Sequence, residues 1–139
     1  MLSTTELIDA EYKTHTAGPE LPTKLYSHCA VSIDQNLVMI VGGFEGITIW
    51  EAVPSKKSYF YNFLINQWTP GPDLKAERGD LACDVIKIGT DSHVIVTGGT
   101  TGDFSLKSTE IFSMKSQHWN YGPAGFTSSH CCTFYGYFS

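Results

Sequence analysis

The chain has 139 residues, of which 42% are hydrophobic, 13% are aromatic and only 17% are charged. This composition is typical of a globular β protein and argues against a disordered chain. The formal net charge of -5 argues against a surface that binds nucleic-acid phosphates or anionic lipid, so we expect neither a nucleic-acid nor a membrane partner. No apolar stretch approaches the roughly 20 residues that a membrane-spanning helix needs.

The cysteines and the N-terminal residues bear on the cellular compartment. Cys29, Cys83, Cys131 and Cys132 lie in strand-like segments rather than at spaced framework positions, which favours free, buried thiols in a reducing compartment. The first residues lack the basic and apolar regions of a signal peptide, and the sequence holds no N-x-Ser/Thr sequon. We therefore predict a cytoplasmic location.

The predicted strands repeat at a nearly constant spacing. In chain order, two strands within residues 4–19 are followed by 24–33, 37–41, 58–63 and a short strand at Trp68, then by 79–88, 93–99, 108–113 and 118–121, and finally by 127–135. Runs such as 37–41 are too short for a helix, and the turns between them are rich in Asp, Asn, Gly and Pro. Four strands per repeat, in sequence order, predict a β-propeller blade.

Two landmarks fix the phase of the repeat. A Gly-Pro pair follows an aromatic or imidazole side chain by three residues in three places, at intervals of 53 and 51 residues; the glycines are Gly18, Gly71 and Gly122, after His15, Trp68 and Trp119. Independently, two apolar strands end in glycine doublets 56 residues apart, Gly42-Gly43 and Gly98-Gly99. Two landmarks in phase indicate a true repeat.

These marks resemble the kelch repeat, which combines a glycine doublet, a strand of the form Glu-apolar-aromatic-Asp and a Trp about six residues further on. The resemblance covers nearly the whole chain and is clearest at residues 110–113 with Trp119. The repeats diverge from the pattern at four positions: His15 replaces the Trp of the first copy, Tyr59 replaces a Glu, and Asn62 and Ser113 replace an Asp. Tyr61 keeps the aromatic position.

The resemblance implies an all-β partial propeller of four-stranded antiparallel kelch blades, with a ring that is not closed. We predict four segments: the C-terminal half of a preceding blade (1–22), two blades (23–74 and 75–123), and the first strand of a following blade (124–139). Because a propeller needs four to eight blades, we expect the chain to be a piece of a longer protein. Self-association of several copies through open blade edges is the alternative.

Six residues are predicted to be structural marks. The four glycines Gly42, Gly43, Gly98 and Gly99 would supply positive φ or close backbone approach, and Trp68 and Trp119 would pack between neighbouring blades. A phosphate-binding glycine loop is the competing interpretation, since both doublets extend to GGxxG. We reject it because neither leads into a helix N-terminus.

The resemblance also implies that the loops before the first strand and after the glycine doublet gather on one face and bind a protein partner. The candidate partner-binding residues are Lys24, Tyr26, Phe44, Ile49, Trp50, Arg78 and Phe104. Apolar and aromatic side chains in polar loops are enriched at binding hot spots, although they also pack onto their own blade. Arg78, the only arginine, has two interpretations: it forks onto a partner's carboxylate, or it pairs locally with Glu77 or Asp80.

Catalytic and metal-binding interpretations find less support. The pairs His28-Cys29 and His130-Cys131, with Cys132, recur at equivalent positions, but adjacent strand residues point to opposite faces and cannot converge on one ion. The sequence has no GxSxG or HExxH motif. Some kelch propellers are copper oxidases related to galactose oxidase, but their ligand set does not map onto this chain. We predict a non-enzymatic protein without a cofactor.

The sequence thus predicts a protein-interaction module. A finer expectation, implied by the resemblance, is substrate recruitment for a cullin-based ubiquitin ligase, as in kelch proteins that carry a BTB domain. The alternatives are a fragment of an enzyme similar to galactose oxidase, and a truncated product with no independent function.

Overall fold

The structure is a computed structural model, and it describes residues 3–123. In this range the chain forms thirteen strands and no helix, so no helix in it could cross a membrane. The strands are β1 (Glu6–Asp9), β2 (Thr14–Ala17), β3 (Leu25–Tyr26), β4 (Cys29–Ser32), β5 (Leu37–Val41), β6 (Phe44–Glu45), β7 (Val53–Pro54), β8 (Ser58–Asn62), β9 (Gln67–Pro70), β10 (Ala82–Ile88), β11 (Asp91–Thr97), β12 (Thr109–Ser113) and β13 (His118–Tyr121).

Two four-stranded antiparallel sheets form the body of the structure. Their strand orders are β4-β5-β8-β9 and β10-β11-β12-β13, so each sheet pairs its own strands in chain order. The hairpin β1-β2 is a separate two-stranded sheet. Consecutive antiparallel pairing in four-stranded units is the organisation of propeller blades, and the predicted all-β fold with an unclosed ring is confirmed. The predicted strand 127–135 lies outside the described residues.

The first strand of each blade differs from its prediction. Residues 24–33 are divided into β3 and β4, because Ser27 adopts a positive φ of 50° and breaks the extended backbone. Asp80 has the same φ of 50°, and β10 begins only after it. The excursion after the first glycine doublet is also more ordered than predicted, since its strands β6 and β7 join β3 in a three-stranded sheet.

The main core lies between the two four-stranded sheets. Alternate residues of the second strand in each sheet point into it, so Met39, Val41, Val94 and Val96 are all fully buried, as the period of two along a strand requires. One aromatic ring from each third strand completes the contact, with the Phe60 and Phe112 centroids 6.1 Å apart; the other buried members are Ile33, Leu74, Leu81 and Trp119. The two blades therefore share one apolar core.

Each tryptophan bonds to the segment preceding its own blade. The Trp68 indole N–H donates to the Pro19 carbonyl at 3.1 Å, and the Trp119 indole N–H donates to the Pro72 carbonyl at 3.0 Å. The Ser58 hydroxyl donates to the same Pro72 carbonyl at 2.7 Å. A blade's Gly-Pro carbonyl is thus held by its own third strand and by the fourth strand of the next blade.

The glycine doublet stands where two blades come closest. Gly43 has a φ of 95°, a region that favours glycine. A Cβ atom there would lie 2.8 Å from the Tyr26 carbonyl oxygen and 2.9 Å from the His28 Cβ. Its amide donates to the Arg78 carbonyl of the next blade at 2.9 Å, so both the conformation and the close approach require glycine.

Cys29 and Cys83 form a disulfide between the first strands of the two blades, with Cα atoms 6.0 Å apart. The prediction of free thiols is wrong for these two residues; Cys131 and Cys132 lie outside the described residues. The two positions are equivalent in successive blades, and the fold brings them together across 54 residues of sequence. Closing a loop of this length stabilises a fold by about 4 kcal/mol in the chain-entropy description. The cysteines no longer argue for a reducing compartment, and the cytoplasmic location stays a prediction.

The indole bond and the burial of Trp119 can be separated by two substitutions. Trp119 is 4% exposed, so Trp119→Ala should lower the free energy of unfolding by about 3–5 kcal/mol. Trp119→Phe should lower it by about 1–2 kcal/mol, since it keeps an aromatic ring and loses the donor to Pro72. Urea denaturation monitored by circular dichroism measures both. Equal losses for the two variants would show that the hydrogen bond, rather than packing, dominates.

Candidate functional site

The connections of the two blades lie at opposite ends of the strands. Because the sheets are antiparallel meanders, the segments 18–28, 42–57, 71–81 and 98–108 lie at one end, and the short turns lie at the other. We call the first end the loop face. It carries all seven predicted partner-binding residues, and the structure divides them into an exposed set and a buried set.

The exposed set centres on residues 47–53, which we call the apolar loop. Trp50 is 89% exposed, and Ile47, Ile49 and Val53 are each at least 60% exposed. Phe104, in the corresponding loop of the next blade, is 75% exposed. Exposed apolar side chains concentrated in one loop mark an interaction surface rather than a core. Ile47 and Val53 were missed as individual candidates, although both lie within the predicted loop.

An open groove lies at the base of the apolar loop. It has a volume of about 460 Å³, and Lys24, Ile47 and Val53 line it together with Thr23, Glu45, Gly46 and Glu51. Glu45 is held in place by the Ser55 hydroxyl and by Lys57, whose Nζ lies 3.7 Å from its carboxylate. The lining of the groove therefore combines apolar side chains with side chains of both charges.

Tyr26 and Phe44 stack on each other, and Phe44 is buried whereas Tyr26 is half-buried. Phe44 is 8% exposed, and its ring stacks on Tyr26 with centroids 5.1 Å apart. Its other neighbour is Gly79 of the next blade, where an added Cβ would lie 2.0 Å from the ring. Burial and close packing leave Phe44 no accessible face for a partner, so the structure does not support it as a contact residue.

Arg78 lies inside the protein. Its side chain is fully buried, and Nη2 lies 2.9 Å from the Glu110 carboxylate, which is also fully buried. Nη1 donates to the carbonyls of Gly98 and Ser108 at 2.8 and 3.0 Å, and Nη2 also donates to the Ser108 hydroxyl at 2.9 Å. The structure therefore does not support the interpretation of Arg78 as a partner-binding residue, because its side chain is fully buried and both of its terminal nitrogens make internal bonds. The buried Nε has no hydrogen-bond partner among the described residues. The structure pairs the Arg78 guanidinium with Glu110, 32 residues along the chain, whereas the expected pairing was with the neighbouring Glu77 or Asp80.

Glu110, in β12, hydrogen-bonds to the segment that leads into its blade. Its carboxylate accepts the backbone amides of Lys75 and Ala76 at 2.7 and 3.0 Å, in addition to Arg78. A buried carboxylate with three charge-assisted or amide donors is well compensated. The sequence carried one signal for this role, because Glu110 is the acidic residue of the kelch-like strand.

In the preceding blade, apolar residues occupy the positions that correspond to Arg78 and Glu110. Counting from the Gly-Pro pairs, Leu25 corresponds to Arg78, and Tyr59 corresponds to Glu110. Leu25 and Tyr59 are 7% and 6% exposed and lie in one apolar cluster with Ile40. The two repeats thus differ at both positions of the pair, and the Tyr59 that departs from the kelch-like pattern is packed against apolar residues.

Burial shifts the pKa of two titratable side chains near the loop face, Tyr59 and His28. Burial raises the pKa of the Tyr59 hydroxyl, with Lys57 acting in the opposite direction. Burial also lowers the pKa of His28, whose Nδ1 has no hydrogen-bond partner among the described residues. Both shifts favour the neutral form, so neither group brings a charge to this surface near neutral pH.

The equivalence of the two pairs predicts the behaviour of a double variant. Arg78→Leu or Glu110→Tyr alone should cost about 3–5 kcal/mol, because each leaves an unpaired buried charge. The double variant Arg78→Leu/Glu110→Tyr has the residues of the preceding blade. Its loss of unfolding free energy should be at most half of the sum of the two single-variant losses. Urea denaturation of the four proteins gives the coupling. Additive losses in the double variant would contradict the equivalence.

Metal ligation finds no support in the described part of the chain. Among residues 3–123, no group of three or more His, Cys, Asp or Glu side chains is placed to hold a metal ion. His28 stands next to Cys29, whose sulfur is bonded to Cys83. The segment His130-Cys131-Cys132 lies outside the described residues.

The sequence was compared with protein-family models and with known proteins. No protein-family model matches the chain. The sequence is 25% identical over 97 residues to an F-box/kelch-repeat protein of Arabidopsis thaliana, covering 69% of this chain and 22% of that protein. It is 25% identical over 130 residues to kelch-like protein 36 of Bos taurus, covering 92% and 20%. The chain thus spans about a fifth of the length of these curated relatives.

The fold is also found in a solved structure. A fungal alcohol oxidase of the AA5 family, in complex with copper, superposes with a TM-score of 0.70 at 15% sequence identity, over 90% of this chain and 28% of that one. At this identity the likeness concerns the fold alone. The chain therefore resembles kelch-repeat proteins in sequence and has the fold of part of a kelch-type β-propeller.

Proposed function

We propose that this chain is a non-catalytic protein-interaction segment of a kelch propeller, and that it binds a protein partner through the apolar loop. The observation that carries the proposal is the exposure of Trp50, at 89%. Trp is the residue most enriched at binding hot spots, and a protein that folds alone gains little from placing it in water. The kelch-repeat relatives support an interaction role in general.

The surroundings of Trp50 suit a protein partner. Ile47 and Ile49 provide apolar area in the same loop, and the groove adds the apolar Val53 and the charged Lys24. Interfaces combine an apolar centre with a polar rim in this way. Phe104 belongs to the same face of the next blade, so we include it as a candidate contact, together with Lys24 and Ile49.

A finer proposal concerns the partner's fate. One relative is named an F-box/kelch-repeat protein, and the kelch resemblance implies substrate recruitment for a cullin-based ubiquitin ligase. The coding sequence that surrounds this segment in the intact locus tests the idea. A BTB or F-box domain in the same reading frame would support it, and an intact transcript without either would remove it. The location of the protein in the cytoplasm is a proposal of the same kind.

Replacing Trp50 tests the interaction surface directly. Trp50→Ala should abolish capture of the partner from a lysate of the source organism, while leaving the thermal midpoint within about 1 °C, because an exposed side chain contributes little to folding. Immobilised chain, mass spectrometry of the eluate and a thermal scan provide the measurements.

The matched control is Leu64→Ala, which removes an apolar side chain that is 75% exposed on the turn between β8 and β9, at the opposite end of the strands. It should retain the partner. A partner that Trp50→Ala retains, or that both variants lose equally, would contradict binding through the apolar loop.

A further inference from the structure

The disulfide stands at the junction between the blades. Cys29 is the first residue of β4, and Cys83 is the second residue of β10. Both side chains are partly exposed and pack against the edge of the shared core, beside Val31 and Val85. Both residues of the disulfide are therefore partly exposed to solvent and in contact with the core.

No strand ladder joins the two blades. β4 and β10 belong to different sheets, so side-chain packing and a few loop hydrogen bonds hold the junction. Two of these bonds lie close to the cysteines: the Asp80 amide donates to the Ser27 carbonyl at 3.0 Å, and the Gly43 amide donates to the Arg78 carbonyl at 2.9 Å. Apart from the backbone itself, the disulfide is the one covalent link that the described residues make across this junction.

Reducing the Cys29–Cys83 disulfide increases the distance that the two sulfur atoms require. Two thiols are small apolar groups that the edge of the core can accept. Non-bonded sulfur atoms stay roughly 3.5–4 Å apart, whereas bonded ones are about 2 Å apart. Each sheet keeps its own ladder, so we expect β4 and β10 to move apart at the junction on reduction and to weaken the two nearby loop bonds.

We infer that the Cys29–Cys83 bond is a reversible redox clasp that sets the spacing of the two blades, with a small dithiol as its reductant. A thiolate of the dithiol attacks one sulfur and the disulfide breaks, leaving a mixed disulfide and one cysteine thiolate, which takes up a proton. The second thiol of the dithiol then closes on the first and releases the other cysteine as a thiol. Two electrons pass to the protein, and the dithiol becomes a disulfide.

The clasp predicts two measurable changes in the full chain. Dithiothreitol under native conditions should convert the pair to two alkylatable thiols and lower the thermal midpoint by about 10 °C. Oxidised glutathione should restore the linked Cys29–Cys83 peptide, as detected by mass spectrometry. Amide hydrogen exchange in the segments 41–46 and 77–82 should accelerate about tenfold on reduction, whereas the hairpin at 5–17 should not change.

Serine variants identify the source of the response. Cys83→Ser and Cys29→Ser should each be insensitive to dithiothreitol and resemble the reduced wild type, and the double variant Cys131→Ser/Cys132→Ser should keep the full response. If a single variant fails to fold, the alkylation and exchange measurements on the wild type still decide. The inference is overturned if the pair stays unlinked under oxidation, resists native reduction, or is reduced with no change in melting or exchange.

Discussion

The apolar core between the two four-stranded sheets is the contact on which the rest of the structure depends. Met39 and Val41 from one blade meet Val94 and Val96 from the next, and all four are excluded from water. Because no ladder joins the blades, this shared core positions one sheet against the other. The indole of Trp119 extends the same contact, since it is buried in the core and bonds to a carbonyl at the end of the preceding blade.

The polar groups at the junction are arranged around that core rather than in place of it. Arg78 and Glu110 are fully buried, yet their hydrogen bonds go to backbone and side chains of the same region. Leu25 and Tyr59 occupy the equivalent positions of the preceding blade without any charge. An apolar pair can replace a buried ion pair of similar volume at little cost, so the choice between the two gives each junction a distinct chemistry within one architecture.

The loop face separates scaffold from candidate function by exposure. The three-stranded sheet formed by β3, β6 and β7 fixes the base of the apolar loop, and the stacked rings of Tyr26 and Phe44 hold that sheet against the next blade. Trp50 and Ile49 project from this base into solvent. Function on such a fold is a property of the loops, and a rigid base beneath an exposed aromatic side chain lowers the entropy cost of binding a partner.

The sequence by itself determined the repeat, the order of the strands and the class of the fold, because these depend on local signals: apolar runs with a period of two, turn residues, and landmarks at a constant spacing. It also placed Ile49 and Trp50 in the apolar loop. Only the tertiary structure decided what Arg78 and Cys29 do, since their partners Glu110 and Cys83 lie 32 and 54 residues away. From the sequence alone, Arg78 is expected to be a surface charge. The fold shows that an acidic partner and nearby carbonyls replace the water that would otherwise solvate its guanidinium.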